Sequence, residues 1–224
     1  MNHKWIFSTN SINIENLSKW LVKPIVWEAL VGDLLGDGHI SKPSKTGSSR
    51  IQFTFSVQNL PYLNYLKSNI YKSICGLTDP IPYPNPKTTG KEATQYWFGS
   101  LTLPSLGNLH SIWYNNVEGK YIKILPDSIE SILTPIGIAH WIQGDGYWSE
   151  KTVLLCTDNF TEEETKRLIN LLENKFGLKA GIKKRIKGNG EICYRIRFHL
   201  SSINNLRNLV SPYIIPEMLY KLGL

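Results

Sequence analysis

Cysteine is scarce. The 224 residues hold only Cys75, Cys156 and Cys193, far apart and without a CxxC pair. That pattern argues against a disulfide framework and a zinc site, and leaves buried reduced thiols as the expectation. No apolar run approaches the roughly 18 residues that a membrane-crossing helix needs. The opening M-N-H-K-W-I-F-S-T-N lacks the apolar core and cleavage site of a secretory leader. It also lacks the Arg-rich pattern of a transit peptide. The expectation is therefore a protein that works where it is made, with no membrane partner. Acidic residues are outnumbered, 18 against 25 Lys and Arg, for a net charge of +7. That excess is compatible with a polyanionic partner without demonstrating one.

What is present is a repeat. Leu30–Gly38 reads L-V-G-D-L-L-G-D-G, and Ile138–Gly146 reads I-A-H-W-I-Q-G-D-G. Each is an apolar helical stretch closing on Gly-Asp-Gly, half a chain apart, and a duplicated unit dictates architecture. The predicted boundaries are an arm over 1–23, a first repeat over 24–126 and a second over 127–224. Pro24 opens a helix that reaches about Leu35, and Gly36 and Gly38 stop it with freedom for an unusual backbone at Asp37. Strands follow at His39–Ser41 and Arg50–Val57, where Ile51, Phe53, Phe55 and Val57 alternate with Arg50, Gln52, Thr54 and Ser56. Tyr62–Ile74 is amphipathic, Thr94–Ser100 is a strand, and Leu103–Tyr114 is a helix. A connector carrying Lys120 and Lys123 joins the halves.

The second half replays that order. A helix over Thr134–Gln143 leads to strands at Tyr147-Trp148 and Val153–Cys156. Thr161–Phe176 is a helix with a capping box from Thr161 and Glu164. Gly188-Asn189-Gly190 turns a hairpin between Ala180–Lys187 and Ile192–Leu200. Alternation puts Tyr194, Ile196 and Phe198 on its core face, with Arg195, Arg197, His199, Lys183, Arg185 and Lys187 opposite. A final helix covers about Ser202–Val210. The fold class is α+β, with two pseudo-symmetric αββαββα repeats. Helices cover one face of each antiparallel sheet and leave the other polar.

Such a face can meet DNA, with cations on phosphates and Arg or Gln on base edges. The candidate contacts are Ser41, Lys42, Arg50, Gln52, Thr54, Ser56, Lys87, Lys91 and Gln95 in the first half. Lys183, Arg185, Lys187, Arg195, Arg197 and His199 are the candidates in the second. Taken singly, a charged hairpin is more often just a solvated surface, and Asp beside Gly is more often a turn residue. Two carboxylates brought together at a pseudo-dyad are different, because they repel unless protonated or bridged by cations. Hard divalent ions suit carboxylate and carbonyl oxygens, and metals can clamp a phosphoryl displacement.

The two nonapeptides resemble the paired signature of the LAGLIDADG homing endonucleases, in the single-chain form with both repeats. L-T-P at 133–135, T-D-N-F-T-E-E-E at 157–164, N-K-F-G-L at 174–178 and I-P-E-M-L-Y-K-L at 215–222 resemble the omega-type mitochondrial intron endonucleases. The resemblance runs from about Val26 to Leu224. It implies signature helices packed at the repeat interface, with Gly32 and Gly36 suiting close approach, and sheets forming a saddle on a long asymmetric DNA site. It implies that Asp37 and Asp145 bind Mg²⁺, in two or three ions that Mn²⁺ can replace, with the carbonyls of Gly36 and Gly144 as further ligands. Both strands would be cut across the minor groove, leaving 3′ overhangs. Lys123, with Lys120 as its competitor, and Lys221 stand where the subgroup places lysines that position water. Gln52 resembles its water-ordering glutamine. His140 departs from the pattern, standing where the family often has a small residue; packing is its expected role and that of Trp141.

The same resemblance implies a monomer acting in the organelle that encodes it, a mitochondrion or chloroplast. An RNA maturase acting on the host intron is one alternative. A non-cleaving DNA-binding regulator is the other, and the intact aspartates and lysines argue against it.

Overall fold

The computed structural model describes residues 24–224, so the expected arm over 1–23 lies outside the described residues. The first signature helix, Pro24–Leu35, and the second, Pro135–Asp145, are both buried over most of their length and pack on each other. Small residues allow this. A Cβ on Gly32 would overlap the carbonyl of Gly137, and one on Gly36 would stand 3.3 Å from the Asp145 Cβ. Gly32 therefore meets Gly137, one turn before the position that the motif alignment pairs with it. The glycines after the helices serve the same purpose. Neither Gly36 nor Gly38 adopts a positive φ, and a Cβ on Gly38 would sit 2.6 Å from the Asp33 oxygen. Close packing, rather than the unusual backbone expected at Asp37, is what requires them.

Two four-stranded antiparallel sheets flank the helix pair. The first has the order β1 (His39–Ile40), β2 (Ile51–Ser56), β4 (Gln95–Gly99), β3 (Ile81–Tyr83). The second has β7 (Gly146–Ser149), β8 (Thr152–Cys156), β10 (Ile192–Phe198), β9 (Ala180–Ile186). Alternation in β2 buries Ile51, Phe53 and Phe55 beneath helix Leu60–Tyr65 and the turns after it, where Phe53 stacks on Tyr71 at 5.4 Å. In β10, Ile196 and Phe198 are buried, whereas Tyr194 is only half covered. Helix Glu162–Phe176 covers this sheet, and the expected capping box is present: Glu164 N–H donates to the Thr161 hydroxyl, and Thr161 N–H to the Glu164 carboxylate.

The connector differs from expectation. Residues 114–123 form a third, two-stranded sheet of β5 (Tyr114–Val117) and β6 (Lys120–Lys123), turning at Glu118-Gly119, both with positive φ. Its outer residues Val117 and Ile122 are exposed, so apolar-in, polar-out alternation was missing and a strand could not be read. Among the described residues no helix is long and apolar enough to cross a membrane.

Candidate functional site

The two signature helices end side by side, which brings Asp37 and Asp145 into hydrogen-bond contact. Burial, then the neighbouring Asp37 charge, push the Asp145 carboxyl up to about 7. Asp37, although it keeps a solvent-exposed edge, is also raised by lost hydration. The bond between them favours the state in which Asp145 holds the proton.

A lysine closes each helix end. Lys123 Nζ donates to the carbonyls of Leu34, Gly36 and Gly38 at 3.0, 3.1 and 2.8 Å. Lys221 Nζ donates to those of Gln143 and Gly144 at 2.5 and 2.9 Å. These carbonyls lie where a helix leaves its last acceptors unpaired, so an ammonium suits them. Burial lowers both ammonium groups, that of Lys123 to about 8, while the two carboxylates act against the shift.

Each lysine reaches its place by a definite route. β6 ends on Lys123, and Tyr114 across the hairpin takes the Ile40 N–H at 3.1 Å, tying the hairpin to the sheet. Lys120, its sequence competitor, is exposed near the hairpin tip. In the second half the buried Gln143 amide brackets the C-terminal segment. It donates to the Tyr213 carbonyl and accepts the Ile215 N–H, which delivers the Pro216–Leu222 turn and Lys221.

Two carboxylates and neighbouring carbonyls are an oxygen donor set that fits a hard cation. Among the described residues no three of His, Cys, Asp and Glu gather to hold one. A cation here would draw its remaining ligands from water and phosphate oxygens, as Mg²⁺ commonly does. The carbonyls of Gly36 and Gly144, expected as ligands, each already accept from a lysine and offer only a second lone pair.

The outward sheet faces carry the other expected residues. Gln52 sits half-buried on β2 directly opposite His39, with Thr54 and Ser56 exposed beyond it and Gln95 paired with Ser56. Arg50 and Lys42 are exposed, Lys42 lying 5.6 Å over the Tyr121 ring, while the Ser41 hydroxyl accepts the Arg50 N–H. Lys87 and Lys91 stand exposed between β3 and β4, far along the chain from the aspartates. Sequence alternation missed Trp97, Ile81 and Tyr83, which register places on the same face as Thr54 and Gln95. Prolines at 82 and 84 limit this stretch to an edge strand and a loop, and β3 is indeed the edge of its sheet.

The second face is less free than its basic residues suggest. Arg195 forms a bidentate pair with Asp158 at 3.2 and 3.3 Å and donates to the Tyr147 hydroxyl at 2.9 Å. Arg185 reaches the same Asp158 at 3.5 Å. Glu150 at the β7–β8 turn takes Lys183 at 2.8 Å and Arg197 at 3.0 Å. Lys187 pairs with Glu191 across the hairpin, and His199 is exposed at the end of β10. The position matching Gln52 here is Leu154, opposite Tyr147 in the register and fully buried.

His140 packs inward, as expected, but within a polar cluster. Asp33 accepts from the Tyr62 hydroxyl at 3.1 Å and the Tyr71 hydroxyl at 2.5 Å, and its Oδ1 is 3.2 Å from His140 Nδ1. Trp141 is fully buried.

A model of the LAGLIDADG DNA endonuclease family matches residues 27–206. Cytochrome b mRNA maturase bI2 of Saccharomyces cerevisiae is 32% identical over 227 residues, covering 99% of this chain and 53% of that protein. The chain thus spans about half the length of that relative. DNA endonuclease I-ChuI of Chlamydomonas applanata is 27% identical over 206 residues, covering 88% of this chain and 93% of the relative. The homing endonuclease I-WcaI, solved bound to its DNA recognition sequence, superposes with a TM-score of 0.74 at 27% identity, covering 96% of this chain and 94% of that one. With the paired helices, the two sheets and the joined aspartates in place, the chain belongs to the LAGLIDADG DNA endonuclease family.

Proposed function

We propose that the chain is a site-specific, Mg²⁺-dependent homing endonuclease. It makes a double-strand break in a long asymmetric DNA target by phosphodiester hydrolysis and leaves 3′ overhangs. The observation that carries this reading is the carboxylate pair, with each helix end held by its own lysine. Asp37 and Asp145 would hold the cations, two or three Mg²⁺ with Mn²⁺ as a substitute. Bound there, a divalent cation lowers the pKa of its water and stabilises charge on phosphate oxygens. In each cut a water oxygen bonds to phosphorus, one ester P–O bond breaks, and the departing oxygen takes a proton. Lys123 and Lys221 hold the backbone that aims the carboxylates, and Gln52 orders water beside the first half-site. One chain supplies both aspartates, so a monomer suffices for both cuts.

The relatives include cytochrome b mRNA maturases, which favours one second reading: assistance in splicing a host intron RNA. By the same likeness, the site of action is the organelle that encodes the chain, a mitochondrion or chloroplast. The test pairs two substrates. Purified protein with Mg²⁺ should cut a plasmid carrying the rejoined DNA flanks of its reading frame, at the junction and with 3′ overhangs. An intact plasmid together with accelerated splicing of the intron RNA would instead establish the second reading.

A further inference from the structure

His39 takes no part in the mechanism above, yet it stands beside the reacting groups. It opens β1 immediately after Gly38, lies directly opposite Gln52, and is exposed on the outward face while Ile40 beside it is fully buried. It lines one recess with Asp37, Lys123, Tyr114 and Asn159. Its ring is fixed from behind. The Tyr114 ring meets it edge to face at 5.7 Å, and the Tyr114 hydroxyl is 3.2 Å from His39 Nδ1. Tyr114 is itself buried and stacked on His110 at 4.6 Å, so it cannot follow the imidazole if that turns.

The Tyr114 hydroxyl accepts the Ile40 N–H and still has its own proton and a second lone pair to offer His39 Nδ1. An imidazole that accepts at Nδ1 carries its hydrogen on Nε2. The other half differs. Its matching residue is Tyr147, a hydroxyl that accepts from Arg195 where the first half has an imidazole, and Leu154 replaces Gln52.

We propose that His39, oriented by Tyr114, is a phosphate-contacting residue of the first half-site alone, its Nε2–H donating to a non-bridging oxygen near the cut. The contact makes the two half-sites chemically unequal. This rests on the endonuclease reading, so one arm of the test is independent of cleavage.

The cleavage arm uses a duplex carrying the rejoined flanks, labelled separately on each strand. In His39→Ala the rate on one strand should fall about a hundredfold, the low end of what losing one preorganised donor costs. The other strand should stay within about twofold, Kd should rise by no more than about threefold because one phosphate contact among many is lost, and His39→Gln should recover part of the loss. Tyr114→Phe should slow the same strand by less. Equal slowing of both strands, or no slowing of either, would overturn the proposal. The second arm is long-range ¹H–¹⁵N spectroscopy of the free protein. A hydrogen on Nε2 supports the proposal; one on Nδ1 alone overturns it, whether or not the protein cuts DNA. Failure of the wild type to cut any duplex would count against the endonuclease reading, while the spectrum would still decide whether His39 offers the donor.

Discussion

At the scale of single residues, Asp145 links the site to stability. Its carboxyl moves from an ordinary 3.8 to about 7 in the fold, so the folded state favours the protonated form. That contribution is complete below pH 4 and is lost as pH rises through about 7. Lys123, lowered to about 8, shifts stability only from there upward, outside this window. The metal-free wild type should therefore lose more melting temperature between pH 5 and pH 7.5 than Asp145→Asn does, the lowered His39 and His110 imidazoles pulling the other way in both proteins. Mg²⁺ should restore more of it at pH 7.5 than at pH 5, because a cation replaces the proton between the carboxylates. Scanning calorimetry with and without EDTA measures this, and an equal Mg²⁺ effect at both pH values would contradict it. The aspartates and Lys221 were legible in sequence because a repeated motif and its flanking words marked them. Lys123 was legible only against Lys120, since choosing between them needs the hairpin that turns one inward.

At the scale of elements, the two signature helices differ where they meet. Asp33, almost fully buried, has three partners, two from the helix and turns that cover the first sheet and one from the opposite signature helix. Removing the carboxylate leaves the buried Tyr71 hydroxyl without its acceptor and the Tyr62 hydroxyl with His140 alone, so Asp33→Ala should cost about 1–3 kcal/mol in urea unfolding. In a double-mutant cycle, His140→Leu should cost less in that background than in the wild type, with a coupling of about 1 kcal/mol or more. Additive effects would show that the two residues do not act together. No local pattern announced this cluster, because Asp33 and His140 are distant in sequence and His140 read as an ordinary departure from a small residue. Alternation did announce the outward cations of β9 and β10, but not the acids that face them. Glu150 and Asp158 sit in turns, where charge is usually solvated. Glu150→Gln should free Lys183 and Arg197 for phosphates, tighten non-specific DNA binding several-fold and steepen its salt dependence. An unchanged salt slope, measured by fluorescence anisotropy, would mean that the two cations do not reach the duplex.

For the whole molecule, pseudo-symmetry builds the scaffold and asymmetry sets how it would be used. The paired helices, two sheets and capped second-half helix follow period and turn chemistry closely enough to be read from the chain. The extra hairpin, the Gly32–Gly137 crossing and the bracketing of the C-terminal segment by Gln143 do not, because each depends on which distant residue arrives beside which. The central claim is that Asp37 and Asp145 form one shared carboxylate pair that holds the cations serving both strands. The most direct measurement compares Mg²⁺-dependent cleavage and Ca²⁺-supported binding of the rejoined-flank duplex by wild type, Asp37→Asn and Asp145→Asn. The account predicts that both variants bind within about threefold of wild type while cleavage of both strands falls by about a thousandfold or more. Undiminished cutting by either variant would contradict it.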